Sequence, residues 1–216
     1  MEPFTPSQPL HLTDTFEFEC RQCGKCCRNV AHTVMLEGLD VFRIAKHLKM
    51  EIGEVINRYA EVVYLAWGVP VLILKASSLG DACLFLKDSK CSIQQANPRV
   101  CKLYPLTACP DPRNLKNFLY YKSQERDFHY TGRAHRVSDW ADAHFDTEAR
   151  AYLSAEYAIV ASIGRILKRI PRNCEDDVER LMMLFRYFLY DTQQSFMPQY
   201  LCNMVHLQGM LEKMTV

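Results

Sequence analysis

The sequence predicts an α+β protein with a compact, cysteine-rich half of short strands and helices, followed by a helical C-terminal region. Eight of the ten cysteines lie between Cys20 and Cys109. Short apolar runs bounded by turn residues surround them, which is typical of short strands. Helical periodicity dominates after Ser138. We therefore expect a cysteine-cluster domain at residues 16–137 and a helical extension, packed on it, at residues 138–216.

The first part of the chain combines one extended segment with helices and strands. Phe16 and Phe18 alternate with glutamates, which indicates a short strand entering the cysteine run. Apolar residues recur at helical spacing over residues 37–59. Gly53 is predicted to separate two helices there, the second of them at residues 51–59. Residues 62–74 are rich in Val, Leu and Tyr around a Gly-Val-Pro turn, which predicts two short strands.

The second cysteine group is predicted to lie on a hairpin and a helical turn. Residues 83–93 have the pattern of a hairpin, with its polar turn at residues 87–90. Asn97 and Pro98 are a typical start for a short helical turn, which would carry Cys101. Residues 115–121 are a further predicted strand.

The C-terminal region is predicted to be entirely helical. Apolar residues spaced for one or two amphipathic helices end before Pro171. Asn173 is a suitable cap for a helix from Glu175 to about residue 191, whose first turn is acidic. A last helix is expected at residues 197–214.

Charge and hydropathy exclude several kinds of partner. The 216 residues carry a formal net charge of +1, without the basic excess of a nucleic-acid-binding protein. The longest apolar run, residues 69–74, is far shorter than the roughly 20 residues that span a bilayer. Residues 1–10 contain no apolar run, so we expect neither a signal peptide nor a membrane anchor. The predicted compartment is the cytoplasm, with no nucleic acid and no membrane as partners, and a protein partner is left open.

The cysteine pattern predicts a metal site. The run CRQCGKCC contains the two-residue spacing twice, and this spacing lets a tight turn direct two thiolates at one ion. Without an export signal, clustered cysteines are metal ligands more often than disulfides. The predicted ligands are Cys20, Cys23, Cys26, Cys27, Cys83, Cys91, Cys101 and Cys109.

The identity of the metal is left open by the pattern. Soft thiolates suit zinc and iron, including a [4Fe-4S] cluster. The ferredoxin run needs a fourth cysteine three residues after the third, followed by proline, and Cys27 follows Cys26 at once instead. Because adjacent side chains rarely point the same way, we expect Cys26 and Cys27 to serve different ions, to bridge two ions, or to include one non-ligand.

Four segments together resemble the YkgJ-type cysteine-cluster family, a zinc- or iron-chelating domain with a CxxCxxCC signature. They are FECRQCGKCCR at residues 18–28, CLFL at 83–86, CSI at 91–93 and NPRVCKLYP at 97–105. The resemblance implies that the chelating set is Cys20, Cys23, Cys26, Cys27, Cys83, Cys91 and Cys101, and Cys109 matches the family less closely. Some members of this family are similar to flagellin lysine N-methylases.

Three functions follow as alternatives. The first is a metal-binding module with a structural or metal-handling role. The second is an iron–sulfur protein that takes part in electron transfer or in a protein modification such as lysine N-methylation. The third is a thiol redox sensor. His32 is a candidate for an additional ligand, although a surface role is favoured for it. Cys174 and Cys202 are predicted to be buried, inert thiols.

Overall fold

The computed structural model describes residues 9–28, 30, 33–65, 69–77, 81–123 and 132–215, and the predicted α+β class is confirmed in them. The helices in this part of the chain are α1 (Gly38–Leu48), α2 (Ile52–Tyr59), α3 (Arg99–Leu103), α4 (Val137–His144), α5 (Thr147–Leu167), α6 (Glu175–Met183) and α7 (Phe196–Glu212). The strands are β1 (Thr15–Glu17), β2 (Met35–Leu36), β3 (Ala60–Tyr64), β4 (Pro70–Leu74), β5 (Leu86–Lys87), β6 (Lys90–Cys91), β7 (Leu106–Asp111), β8 (Asn114–Lys122) and β9 (Ala134–Arg136).

The chain forms two compact units, each assembled from separate stretches of sequence. The first unit contains residues 1–21 and 99–157, and the second contains residues 22–98 and 158–216. Both units take residues from before and after Ser138. The predicted functional division into residues 16–137 and 138–216 stays a prediction.

The second unit is built on a three-stranded antiparallel sheet in the order β2–β4–β3. The central strand β4 buries Leu72, Ile73 and Leu74, as expected for a strand that is covered on both sides. The two strands predicted over residues 62–74 are therefore confirmed, while the glycine of their turn, Gly68, lies outside the described residues.

Helices α1 and α2 pack on each other. The predicted second helix at residues 51–59 is confirmed as α2, but the prediction that Gly53 separates the two helices is wrong. Lys49 ends α1 in a left-handed conformation with φ of 54°, and the N–H of Met50 donates to the carbonyl of Ala45 at 3.0 Å. This backbone bond closes the C-terminal end of the helix. Glu51 then starts α2, and Gly53 lies inside it.

The end of α6 also differs from the prediction. The helix starts at Glu175, as predicted, but its N-cap is Cys174 rather than Asn173. Residues Leu184–Phe188 continue it as a π-helix, so the regular helix ends earlier than residue 191. The last predicted helix is confirmed as α7.

The first unit contains two small antiparallel sheets, β1–β9 and β7–β8. The predicted strand at Phe16 is confirmed, and Phe16 and Phe18 both meet the ring of Trp140 edge-on, at 5.7 and 5.5 Å. Strand β8 is confirmed, whereas β7 was not predicted. Because Pro110 lies within β7 and lacks an N–H group, the sequence of this segment does not have a strand pattern.

Arg150 joins several elements of the first unit. Its guanidinium donates to the carbonyls of Phe145 at 2.8 Å and Ala141 at 3.0 Å. Both carbonyls lie at the C-terminal end of α4. It also donates to the hydroxyl of Tyr120 at 3.2 Å and lies over the ring of Phe145. We expect Arg150→Met to lower the free energy of unfolding by about 1–2 kcal/mol, because charge-assisted hydrogen bonds to partly buried carbonyls are lost.

The matched control is Arg180→Met in α6. Arg180 is 78% exposed and its ion pair with Asp177 is long, at 3.8 Å. The control should change the free energy of unfolding by less than about 0.5 kcal/mol. Guanidinium unfolding curves measure both variants, and equal stabilities would contradict the role given to Arg150.

Among the described helices, none combines the length and the apolar character needed to cross a membrane.

Candidate metal centre

All ten cysteines lie in the described part of the chain, and all ten are thiols rather than disulfides. Of the predicted ligands, Cys23, Cys26, Cys27, Cys83 and Cys91 belong to the second unit. Cys20, Cys101 and Cys109 belong to the first unit. The candidate centre described below is formed within the second unit alone.

The first part of the centre is a tight loop from Gln22 to Arg28. Gln22 and Gly24 both have left-handed backbone conformations, with φ of 50° and 68°, on either side of Cys23. A 3-10 turn over Lys25–Cys27 follows, and the N–H of Cys27 donates to the carbonyl of Gly24 at 3.0 Å. The two left-handed residues and the 3-10 turn together make residues 22–28 a tight loop.

The second part is the hairpin β5–β6, which pairs Leu86 with Cys91 and Lys87 with Lys90. Asp88 and Ser89 form its turn, and both have positive φ, as two-residue hairpin turns require. The predicted hairpin and turn are confirmed, but its strands are shorter than predicted. Cys83 lies before the hairpin and forms an isolated bridge with Ala76 instead.

The loop packs directly on the hairpin. A Cβ atom at Gly24 would lie 2.7 Å from Cδ1 of Leu86 and 2.8 Å from the carbonyl oxygen of Ser89. The guanidinium of Arg28 donates to the hydroxyl of Ser89 at 3.1 Å. Glycine at position 24 is therefore needed for its backbone conformation and for the closeness of the hairpin.

A backbone hydrogen bond connects Cys83 to the loop. The N–H of Cys83 donates to the carbonyl of Cys27 at 2.8 Å, and the N–H of Val30 donates to the carbonyl of Asp81, also at 2.8 Å. The segment before the hairpin thus runs beside the end of the cysteine loop. Four thiols, those of Cys26, Cys27, Cys83 and Cys91, are brought into one region by these contacts.

Cys26 and Cys27 point toward each other rather than apart. Their Sγ atoms are 3.8 Å apart. The expectation that adjacent side chains would diverge is wrong here, because the 3-10 turn at Lys25–Cys27 does not have the alternating side-chain directions of a strand.

The thiol of Cys83 is in an apolar and electrostatically crowded position. Burial raises its pKa, and the neighbouring thiols of Cys91 and Cys26 raise it further by charge repulsion. Backbone N–H groups of Phe85 and Leu86 donate to its sulfur and act in the opposite direction. Such N–H···S bonds orient and stabilise a thiolate once a cation neutralises the repulsion.

Cys91 has the same kind of environment. Burial raises the pKa of its thiol, the backbone N–H of Ile93 lowers it, and the charge of Cys26 raises it. The mutual effects of Cys26, Cys83 and Cys91 place these three thiols within electrostatic range of one another.

The four thiols are suitable metal ligands, although their sulfur atoms are not arranged as a complete ligand shell. Within the described ranges, no three His, Cys, Asp or Glu side chains are gathered closely enough to hold an ion. The closest pair does match metal geometry, because Zn–S bonds of about 2.3 Å in a tetrahedron separate two sulfur atoms by about 3.8 Å. The Sγ atoms of Cys26 and Cys27 are 3.8 Å apart.

The other three predicted ligands, Cys20, Cys101 and Cys109, lie in the first unit. Cys20 is exposed after Phe18, and Cys101 is half-buried on α3. Burial raises the pKa of the Cys109 thiol, while a hydrogen bond from Tyr121 and the charge of Arg99 lower it. Cys109 thus has neighbours of its own within the first unit.

Two other cysteines differ from the prediction. Cys202 is exposed on α7 and Cys174 is half-buried, so neither is a buried thiol. The predictions for them were wrong because apolar helical spacing does not show which face of a helix is covered. His32 lies outside the described residues.

A histidine pair in the first unit was not predicted to form a site and is brought together by the structure. His135 and His144 flank the ring of Trp140, with ring centroids 4.8 and 3.9 Å away. Burial lowers the pKa of His144, and the charge of His135 lowers it further. His135 is placed by its pairing with Phe16 across β1–β9, a long-range contact that has no local signal in the sequence.

An α+β chain that gathers thiols from a tight loop and a hairpin belongs to the class of cysteine-cluster, metal-chelating proteins. More particularly, the chain belongs to the CxxCxxCC family, described as "Putative zinc- or iron-chelating domain", whose model matches residues 19–131. The match covers more than half of the chain and confirms the predicted cysteine-cluster family.

One curated relative is an uncharacterized protein, MJ0661, of Methanocaldococcus jannaschii. It is 33% identical over 106 residues, which are 48% of this chain and 52% of that protein. The chain therefore spans about half the length of this relative. No solved structure matches the chain.

Proposed function

We propose that the chain holds one zinc ion in a closed site of four thiolates, Cys26, Cys27, Cys83 and Cys91, and that the ion has a structural role. The 3.8 Å separation of the Cys26 and Cys27 Sγ atoms supports this most directly, because it equals the edge of a zinc–thiolate tetrahedron. Binding would draw the thiols of Cys83 and Cys91 toward this pair.

The charge of such a site is partly offset by its own neighbours. Four thiolates and one Zn²⁺ carry a formal charge of about −2. Lys25 and Arg28 extend from the loop, and Lys87 and Lys90 from the paired positions of the hairpin; all four are exposed. Their cationic groups would offset part of the negative charge of the occupied site.

We infer a structural role for the ion from the three chain segments that its four ligands would connect. They come from the loop, from the segment before the hairpin and from strand β6, and two of these segments contain little regular secondary structure. A zinc ion supplies a fixed tetrahedral crosslink and no redox chemistry. Four protein thiolates complete its shell, so no position is left for a substrate or a catalytic water.

The other predicted properties belong to the same proposal. A single tetrahedral ion needs four ligands, so Cys20, Cys23, Cys101 and Cys109 stay predicted ligands that this site does not use. The cytoplasm is the proposed compartment, because thiols remain reduced there. A net charge of +1 supports the absence of a nucleic-acid partner.

Metal analysis of the anaerobically purified protein tests the zinc site. We expect colourless protein with at least one zinc per chain and little iron by elemental analysis. Removal of zinc by a strong chelator should lower the midpoint of thermal unfolding, since the binding free energy of a structural ion contributes to folding. Adding zinc back should restore the midpoint, whereas magnesium should not.

Other outcomes would contradict the proposal and identify an alternative. Iron with acid-labile sulfide and a broad visible absorption band would show an iron–sulfur protein, as a protein-modifying enzyme component requires. Folded, metal-free protein that forms disulfides reversibly would show a thiol redox sensor. Red protein with iron but no sulfide would show a mononuclear iron site.

A further inference from the structure

Helix α7 is apolar on its exposed face as well as on its buried face. Phe196, Tyr200, Met204, Leu207 and Leu211 form the buried face. On the opposite side, Leu201 is 47% exposed. Val205 is 68% exposed, which is the highest value for a large apolar side chain in the described part of the chain. A surface helix normally has charged residues on its solvent side.

The helix as far as Leu211 and the segment that leads into it also lack charge. The twenty residues from Thr192 to Leu211 contain no Lys, Arg, Asp or Glu. An uncharged surface cannot select a charged partner, but two copies of it can meet without like-charge repulsion. Like-charge repulsion therefore does not oppose self-association through this surface.

The outer face of α7 is defined here as Pro198, Leu201, Cys202, Val205 and Gly209, which share one side of the helix at intervals of three or four residues. A Cβ atom at Gly209 would meet no heavy atom within 4 Å, so this position is open to solvent. A second helix can approach closely at Gly209, and Leu201 lies two turns before it.

We propose that the outer face of α7 binds the same face of a second copy of this chain, with the two helices antiparallel and centred on Val205. Helix arithmetic then places Leu201 of each copy opposite Gly209 of the other, so that a large side chain covers a position without one. The contact is isologous, as most dimer interfaces are.

The ends of the helix favour the antiparallel arrangement. Glu212 is the last residue of α7, where a carboxylate is repelled by the negative end of its own helix dipole. In an antiparallel pair, Glu212 lies beside the positive N-terminal end of the second copy's helix. A parallel pair would instead place the two carboxylates together.

The small area of the face means that a dimer formed through it is weak and reversible. Seventeen residues of helix are about 25 Å long and about 10 Å wide, which is less than the roughly 800 Å² per partner of a stable interface. A lipid surface is the less favoured occupant, because the face contains no basic residue and is interrupted by the thiol of Cys202.

Sedimentation velocity of the full chain over about 1–300 µM tests the proposal, a range suited to a weak dimer. We expect the sedimentation coefficient to rise with concentration. Val205→Asp should raise the dissociation constant at least about tenfold, because it places two carboxylates at the centre of the contact. The matched control is Val160→Asp, at an exposed valine of α5 in the same unit, which should leave dimerisation unchanged.

A second variant separates dimerisation from folding. Gly209→Leu has space in the single chain and replaces a poor helix former by a good one, so thermal stability should be kept or increased. The same leucine would collide with Leu201 of the second copy, so the variant should dimerise at least about tenfold more weakly. A folding defect would not be expected to weaken dimerisation while thermal stability is kept or increased.

Three results would overturn the proposal. The first is a monomer at every concentration, and the second is a dimer that Val205→Asp and Gly209→Leu leave intact or that Val160→Asp weakens equally. The third is flotation with neutral phosphatidylcholine vesicles that Val205→Asp abolishes, which would identify a lipid surface as the occupant.

Discussion

Replacing Cys83 by serine is expected to lower zinc affinity at least about 100-fold, since even a change outside the ligand shell costs 10–100-fold. A serine hydroxyl stays protonated at neutral pH and is a poor ligand for this ion. The N–H groups of Phe85 and Leu86, which donate to the sulfur of Cys83, would then have no thiolate to stabilise. Cys91→Ser should have an effect of the same size.

Cys174→Ser is the control for the two ligand variants. Cys174 is a half-buried thiol in the 3-10 turn before α6 and is not among the predicted ligands. Competition with a chromophoric zinc chelator measures all three affinities. Unchanged affinity in both ligand variants would refute the proposed ligand set, and an equal loss in Cys174→Ser would show a general folding defect instead.

Gly24→Ala is expected to disrupt the same site without removing any ligand. A left-handed conformation costs a non-glycine residue roughly 1–2 kcal/mol. The added Cβ would also lie 2.8 Å from the backbone oxygen of Ser89, which cannot move without displacing the hairpin. We expect a loss of at least about 2 kcal/mol in stability of the zinc-loaded protein, together with weaker zinc binding.

The control for this substitution is Gly164→Ala in α5. A Cβ atom at Gly164 would meet no heavy atom within 4 Å. The control should be neutral or stabilising by about 0.5–1 kcal/mol, because alanine is the better helix former. Denaturant unfolding in excess zinc, together with zinc titration, compares the two variants. Equal behaviour of the two would contradict the close packing of loop and hairpin.

Local patterns predicted much of the secondary structure. The hairpin turn at Asp88 and Ser89, helix α3 after Pro98 and helix α7 all follow from short-range signals, and all three are confirmed. The break between α1 and α2 was misplaced because Gly53 is a weaker signal than the C-cap at Lys49, which only the backbone conformation reveals.

Strand β7 and the ends of α6 show the same limit. Pro110 lies in a two-stranded sheet, where the missing N–H is tolerated at an edge, so its strand is supported by pairing with β8 rather than by its own residues. The π-helix after Met183 likewise has no marker in the sequence. Tertiary contacts decided both.

The sequence by itself determined that this is an α+β member of a cysteine-cluster family and which cysteines are candidate ligands, because residue types and their spacing are local properties. Only the tertiary structure decided that Cys26 and Cys27 bring their sulfur atoms together. It also decided that Cys83 and Cys91 lie in the same unit as this pair. The physical reason is that the direction of a thiol depends on backbone dihedral angles at Gln22 and Gly24 and on the packing of a hairpin about sixty residues away in sequence.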